Sequence, residues 1–353
     1  MNINLKAFFL TFMILIVLFG CTSRPEDGVV KKETILNNTT GKEDLQHTEG
    51  YVTVDTTGMQ LWYDTFGDKN DPKVLLIHGN EAQAISWLPH FYEPLVNAGY
   101  FVIRYDCRDN GLSEKFGKPK GFKPKKWTPE QAPPYTLEDD ASDVIGLLKK
   151  LEVDSAHFVG WSQGGMIAQL VAIQRPDMVK TLTLLATMPS NPFDQTFQPV
   201  EVQEFFQNDL APMVKRMAVT GMFMPLTRKK MIKLTKDFFS LMDDSLSTPY
   251  GEEMLDIYIE AYYSDGRKFN PMSWQGMAVA YSKSRANELK NVNIPTLVVN
   301  GDKDKLVDYY NAEVLAGIIP NAKLITIKGG GHLFPALDIY SDKYINDIIS
   351  HLQ

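Results

Sequence analysis

The feature that most constrains this chain is a series of short, nearly continuous apolar runs: Val74 to Ile77, Tyr100 to Tyr105, Ala156 to Val159, Thr181 to Ala186, Thr296 to Val299 and Lys323 to Ile327. Helical patterns separate most of them. An apolar run without alternation suits a strand covered on both faces, so the series predicts a parallel sheet with crossover helices. Upstream, apolar and polar residues alternate from Tyr51 through Val52 and Val54, the chain turns near Thr57-Gly58, and the pattern resumes from Leu61 to Phe66. That is the mark of an antiparallel hairpin opening the sheet. The expected class is α/β, with a mostly parallel eight-stranded sheet flanked by helices, and the segment from Ile339 to Leu352 reads as a final helix.

At 353 residues the chain exceeds the usual single-domain size, which fits one core carrying an insertion. The interruption falls between residues 190 and 286, where the pattern turns Met-rich and Phe-rich, as in Met213 to Met224 and Met231 to Met242, with prolines at Pro225, Pro249 and Pro271. This stretch is expected to be a helical cap, leaving 49–189 and 287–353 as the core. A Met and aromatic stripe at helical spacing serves a core, and Met's adaptable thioether also suits the wall of an apolar pocket. With 44% hydrophobic and 22% charged residues, a sizeable buried core is within reach. A formal net charge of -7 gives no basic footprint for phosphate backbones, and no zinc-ligand spacing or phosphate-cradling glycine loop occurs. Nucleic acid partners, metals and cofactors are therefore not expected.

At the N-terminus Lys6 precedes an apolar run from Ala7 to Phe19, too short for a comfortable membrane span and suited to a signal peptide. Its ending, Leu18-Phe19-Gly20-Cys21, resembles a bacterial lipobox, which implies cleavage after residue 20 and acylation of Cys21, hence an exported, membrane-anchored lipoprotein. Ordinary secretion and an uncleaved anchor are the alternatives. Residues 21–48 are rich in Lys, Glu, Asp, Asn and Thr and nearly lack aromatics, so they read as a flexible tether, including His47. With Cys21 lipidated, the second cysteine, Cys107, has no intramolecular partner and reads as a small core residue.

The decisive motif is Gly160-Trp161-Ser162-Gln163-Gly164, placed directly after one apolar run and before the helical pattern Met166 to Gln174. A serine hydroxyl is a weak nucleophile unless it is presented without crowding and joined to a base. A sharp strand-to-helix turn presents it, flanking glycines permit that turn, and the following helix N-terminus favours developing negative charge. The base is expected late in the chain, and Gly329-Gly330-Gly331-His332 follows the last apolar run; its glycines let the imidazole of His332 reach back over the strand ends. The orienting acid comes from Gly301-Asp302-Lys303-Asp304, where Asp304 lies beyond the turn and Asp302 is a turn residue. Oxyanion donors are expected from the backbone N–H groups of Gln163 and Asn80, the latter in His78-Gly79-Asn80-Glu81 just after Val74 to Ile77. Asn80 also offers a side-chain amide, and Glu81 reads equally as a buried charge or a solvated loop residue.

Taken together, His78-Gly79-Asn80, Tyr105-Asp106-Cys107-Arg108-Asp109-Asn110-Gly111-Leu112-Ser113, Gly160 to Gly164, Gly301 to Asp304 and Gly331-His332 resemble the α/β-hydrolase superfamily from about Tyr51 onward. The run Ile103 to Asp106 with Arg108-Asp109, and the Asn80 and Trp87 region, are similar to the aclacinomycin methylesterase type. The resemblance implies hydrolysis of a small-molecule carboxylic ester through an acyl-enzyme, with Asp106 and Arg108 as structural loop residues. Dehalogenases and epoxide hydrolases of the superfamily use a carboxylate at the elbow, so Ser162 argues against both. Amidase, thioesterase, carbon-carbon hydrolase and perhydrolase activities share the constellation. A surface binding protein that keeps the fold without turnover is the reading from another class.

Overall fold

The structure, a computed structural model, describes residues 32–33, 45–80, 82–116, 133–192 and 274–353, with scattered positions between 194 and 259. The strands are β1 (Lys32–Glu33), β2 (His47–Thr53), β3 (Gln60–Phe66), β4 (Lys73–Ile77), β5 (Phe101–Tyr105), β6 (Ala156–Trp161), β7 (Val179–Leu185), β8 (Thr296–Gly301) and β9 (Lys323–Ile327). They form one sheet in the order β1-β2-β3-β5-β4-β6-β7-β8-β9. β1 to β3 are antiparallel, β3 meets β5 antiparallel, and every pairing from β5 to β9 is parallel.

The eight strands expected from sequence are all present, and the two-residue β1 is an addition. It lies inside the segment expected to be a tether, pairing Lys32 with Glu49 and Glu33 with Thr48. His47 likewise opens β2 opposite Phe66 instead of belonging to the tether. The physical reason is the open edge of β2, whose unpaired amides and carbonyls accept any extended stretch of chain that passes.

Both faces of the sheet are covered, as unbroken apolar runs require. Along β4, Leu75 and Ile77 enter one core cluster while Val74 and Leu76 enter the other. β6 divides the same way, with Phe158 on the first face and Val159 and Trp161 on the second. Truncating one of these fully buried leucines to alanine costs about 2–5 kcal/mol, from lost transfer free energy and the cavity left behind.

Helices α1 (Pro89–Asn97), α2 (Leu137–Lys150), α3 (Gln163–Gln174), α4 (Gln275–Tyr281), α5 (Ala286–Leu289), α6 (Tyr310–Ile318) and α7 (Ile345–Leu352) flank the sheet. α2 begins with a capping box between Thr136 and Asp139, carries acids through its first turn, and ends on Lys149 and Lys150, each end matched to the helix dipole. α3 buries its first ten residues, which explains why its sequence shows no polar face. The expected final helix divides into a 3₁₀ stretch, Asp338–Lys343, and α7. The break is at Tyr344, whose extended φ of -147° turns its ring in among Phe91 and Phe334, so packing overrides helical propensity there. Residues 1–20 with the lipobox, Cys21, most of the tether and most of 190–286 lie outside the described residues.

Because β4, β6, β8 and β9 run parallel, their following loops all leave from one edge of the sheet. That edge collects His78-Gly79-Asn80, Ser162, Asp302 to Asp304 and the glycine loop before His332, and it is where open α/β sheets place their ligands.

Candidate active site

Ser162 joins the end of β6 to the first turn of α3 with φ 55° and ψ -118°, in the left-handed half of backbone space that side chains rarely adopt. Its amide donates to Leu185 O at 2.8 Å and its carbonyl accepts from Thr187 Oγ1 at 2.6 Å, so the strained residue is held from both sides. Two glycines make the turn possible. A Cβ on Gly160 would lie 2.4 Å from Gly164 O, and one on Gly164 would lie 2.1 Å from Ile77 O, distances no side chain tolerates.

The hydroxyl of Ser162 lies 3.1 Å from His332 Nε2, and His332 Nδ1 lies 2.8 Å from Asp304 Oδ2. Asp304 and the His332 ring are buried while Ser162 is half-buried, so a substrate can reach the oxygen without wetting the base. The other oxygen of Asp304 accepts from the amides of Leu306 and Val307 at 2.9 and 2.8 Å. With Oδ2 accepting, His332 carries its proton on Nδ1, leaving Nε2 free to accept from the serine. Asp302 serves the loop instead of the ring, since its Oδ1 accepts from Gly329 N at 2.7 Å and shapes the glycine turn.

The loop after β4 packs against the elbow, and a Cβ on Gly79 would come 3.3 Å from Ser162 Cβ. His78 fixes this loop by lying 2.8 Å from Gly79 O through Nδ1 and accepting from Cys107 N at 3.0 Å through Nε2. Asn80 is exposed at its tip, and Gln163, as the first residue of α3, has an amide with no acceptor one turn back. Glu81 lies outside the described residues.

Beneath the elbow lies a buried polar cluster. Arg108 Nε donates to Asp143 Oδ2 at 2.7 Å and stands 3.8 Å from Asp140 Oδ1. Burial pushes the carboxyl of Asp140 well above the usual range against the opposing pull of Arg108, and raises Asp143 for the same reason. Gln275 of α4 donates to Asp140 Oδ1 at 3.0 Å and to Arg108 O at 2.8 Å, and it accepts from the Gln163 side chain. Asp106 ties the loop after β5, accepting from Ala84 N at 2.7 Å and Leu112 N at 2.8 Å. These are the structural roles expected of Asp106 and Arg108. Cys107 is a core residue whose thiol burial pushes up.

Sequence reasoning missed the contacts of Asp140, Gln275 and Trp161. The i,i+3 pair Asp140 and Asp143 on one helix face was the available signal for the first. No local signal marks Gln275, because its partners lie 112 to 167 residues away. Trp161 donates its indole N–H to His332 O at 3.1 Å, a contact that nothing in the motif itself announces.

A glycine-framed serine at a strand-to-helix elbow, joined through a late histidine to an acid after the preceding strand, is the pattern of one fold family. Residues 72–337 match the alpha/beta hydrolase fold, and the chain belongs to that family. It is 29% identical over 298 residues to the rhodomycin D methylesterase DnrP of Streptomyces peucetius, covering 78% of this chain and 89% of that protein. Among solved structures it superposes on an esterase from Exiguobacterium antarcticum with a TM-score of 0.63 at 18% identity, covering 86% of this chain and 98% of that one. It also superposes on Est816, an N-acyl homoserine lactone degrading enzyme, with a TM-score of 0.59 at 22% identity, covering 86% and 100%.

Proposed function

We propose that the protein is a serine hydrolase of small carboxylic esters, working through a covalent acyl-enzyme. The observation that carries this reading is the unbroken line from Asp304 Oδ2 through the His332 ring to Ser162 Oγ. His332 Nε2 takes the serine proton as Oγ bonds to the ester carbonyl carbon, and the carbonyl π electrons move onto oxygen. The amides of Gln163 and Asn80 are the donors this reading assigns to that oxyanion. Its collapse breaks the bond to the alkoxy group, which leaves as the alcohol with the proton from His332. Water then repeats the sequence on the acyl-enzyme and frees the acid. The likeness to rhodomycin D methylesterases supports a methyl or other small alkyl ester as the substrate class.

Ser162→Ala tests this. Hydrolysis of short aryl esters falls by several orders of magnitude, toward the residual catalysis of the oxyanion site alone, while the melting temperature stays near that of the wild type. Activity retained in a folded S162A protein overturns the assignment.

We also infer that Cys21 carries a lipid that anchors the mature protein to a membrane, supported by the Leu18-Phe19-Gly20-Cys21 sequence. On expression in a bacterium, the wild type enters the detergent phase on cloud-point partitioning and a Cys21→Ser variant stays in the aqueous phase. Equal partitioning of the two overturns the anchor.

A further inference from the structure

His332 reaches the nucleophile from Gly329-Gly330-Gly331, residues without side chains to hold them, and Gly329 sits at φ 77°. Backbone hydrogen bonds fix the root of this loop. Gly330 N donates to Ile327 O at 3.0 Å, Gly330 O accepts from Lys303 N at 2.9 Å, and Tyr340 Oη donates to Gly329 O at 3.0 Å. The first two tie the loop to the end of β9 and the turn after β8, and the third ties it to the 3₁₀ stretch Asp338–Lys343. His332 N donates to Met242 O at a long 3.4 Å.

The bond from Trp161 differs in where it starts. Trp161 is the residue before the nucleophile, is 3% exposed at the end of β6, and has Trp87 edge-on to its ring at 6.0 Å. Its indole N–H reaches His332 O at 3.1 Å, across 171 residues of sequence. A closed circuit results: the peptide bond from Trp161 to Ser162, the Ser162 Oγ contact to His332 Nε2, the His332 side chain and backbone, and the carbonyl held by the Trp161 indole. Such a circuit ties the backbone that carries the base to the residue before the nucleophile, through a buried hydrogen bond whose acceptor has lost water as an alternative.

We infer that Trp161 is a positioning residue whose indole N–H, bound to the His332 carbonyl, sets the reach between His332 Nε2 and Ser162 Oγ. The inference rests on the serine-hydrolase reading above. It places the effect in the turnover step: proton transfer depends on donor–acceptor distance and alignment, whereas ground-state binding of an ester does not use this bond.

Site-specific replacement of Trp161 by 3-benzothienylalanine tests it, because sulfur replaces the N–H in a ring of nearly the same shape. Turnover of p-nitrophenyl acetate is measured across the range where an imidazole titrates, normalised to active sites counted with a fluorophosphonate. Loss of one neutral hydrogen bond lowers kcat per site roughly two- to tenfold with KM unchanged. 5-Fluorotryptophan at the same position, which keeps the N–H, retains the wild-type rate. A residue that only fills space lowers the melting temperature or the fraction of active sites, and leaves kcat per site alone. If the analogue does not fold, Trp161→Phe serves, with kcat per site again the readout. An active wild type whose benzothienyl form turns over at the same rate per site overturns this inference alone. A wild type that neither labels nor hydrolyses esters overturns the serine-hydrolase reading, and this inference with it.

Discussion

Two buried aspartates, Asp304 and Asp140, are held in contrasting ways. Asp304 receives two backbone amides on one oxygen and the His332 ring on the other, an arrangement that only acceptor atoms fill and that suits a carboxylate. Asp140 is equally hidden, yet only one of its oxygens has a partner among the described residues: Oδ1 accepts from Gln275 and stands 3.8 Å from Arg108, while Oδ2 has none. Burial accordingly drives the carboxyl of Asp140 well upward. The difference teaches that the donors supplied, more than depth, decide what a buried acid does. Asp304 has donors on both oxygens, and Asp140 sits in a scaffold with one oxygen bonded and burial raising its carboxyl.

The comparison breaks most sharply at Asp304. Asp304→Asn keeps the shape but offers His332 Nδ1 a donor or a mismatched acceptor, so kcat for ester hydrolysis falls by about four orders of magnitude with little loss of stability. Asp302→Asn, two residues away and with its side chain on the glycine loop, changes kcat far less. Equal effects at the two positions would dissolve the distinction. Next in size is Arg108→Ala, which strips the cation from Asp143 and Asp140 together. Breaking a buried pair this way costs about 3–5 kcal/mol, seen as a lowered midpoint in urea unfolding.

Asp140→Asn gives the smallest change and the most informative one. The folded-state pKa of Asp140 lies above its unfolded value, so its favourable contribution is complete below the unfolded pKa and is lost as pH rises through the folded one. Asparagine cannot ionise, so the variant's stability stays flatter over that window and matches or exceeds the wild type at its alkaline end. Urea midpoints collected from acidic to mildly alkaline pH check this. A variant that is less stable than the wild type at alkaline pH contradicts the upward shift of the Asp140 carboxyl.

Much of this was legible in the sequence, for identifiable reasons. β4 and β6 to β8 are buried on both faces, which only unbroken apolar runs can satisfy, and those runs are visible to the eye. Ser162, Asp304 and His332 were legible because each sits at a glycine-marked turn following a strand, and parallel strands deliver such turns to one edge. β1 was not legible, since Lys32–Glu33 is only two residues long, too short for a strand's alternating pattern to show. Tyr344 broke the final helix through tertiary packing that local propensity does not contain. Gln275 and the Trp161 indole were hidden for a third reason: their partners are brought near only by the completed fold.

The central claim is that Ser162 is an activated nucleophile and His332 is what activates it. The most direct measurement is covalent labelling with a fluorophosphonate, followed by intact mass and peptide mapping, on the wild type beside His332→Ala. One adduct is expected, on Ser162, forming readily in the wild type and slower by orders of magnitude without the imidazole. A folded wild type that stays unlabelled, or one whose labelling rate is the same with and without His332, contradicts it.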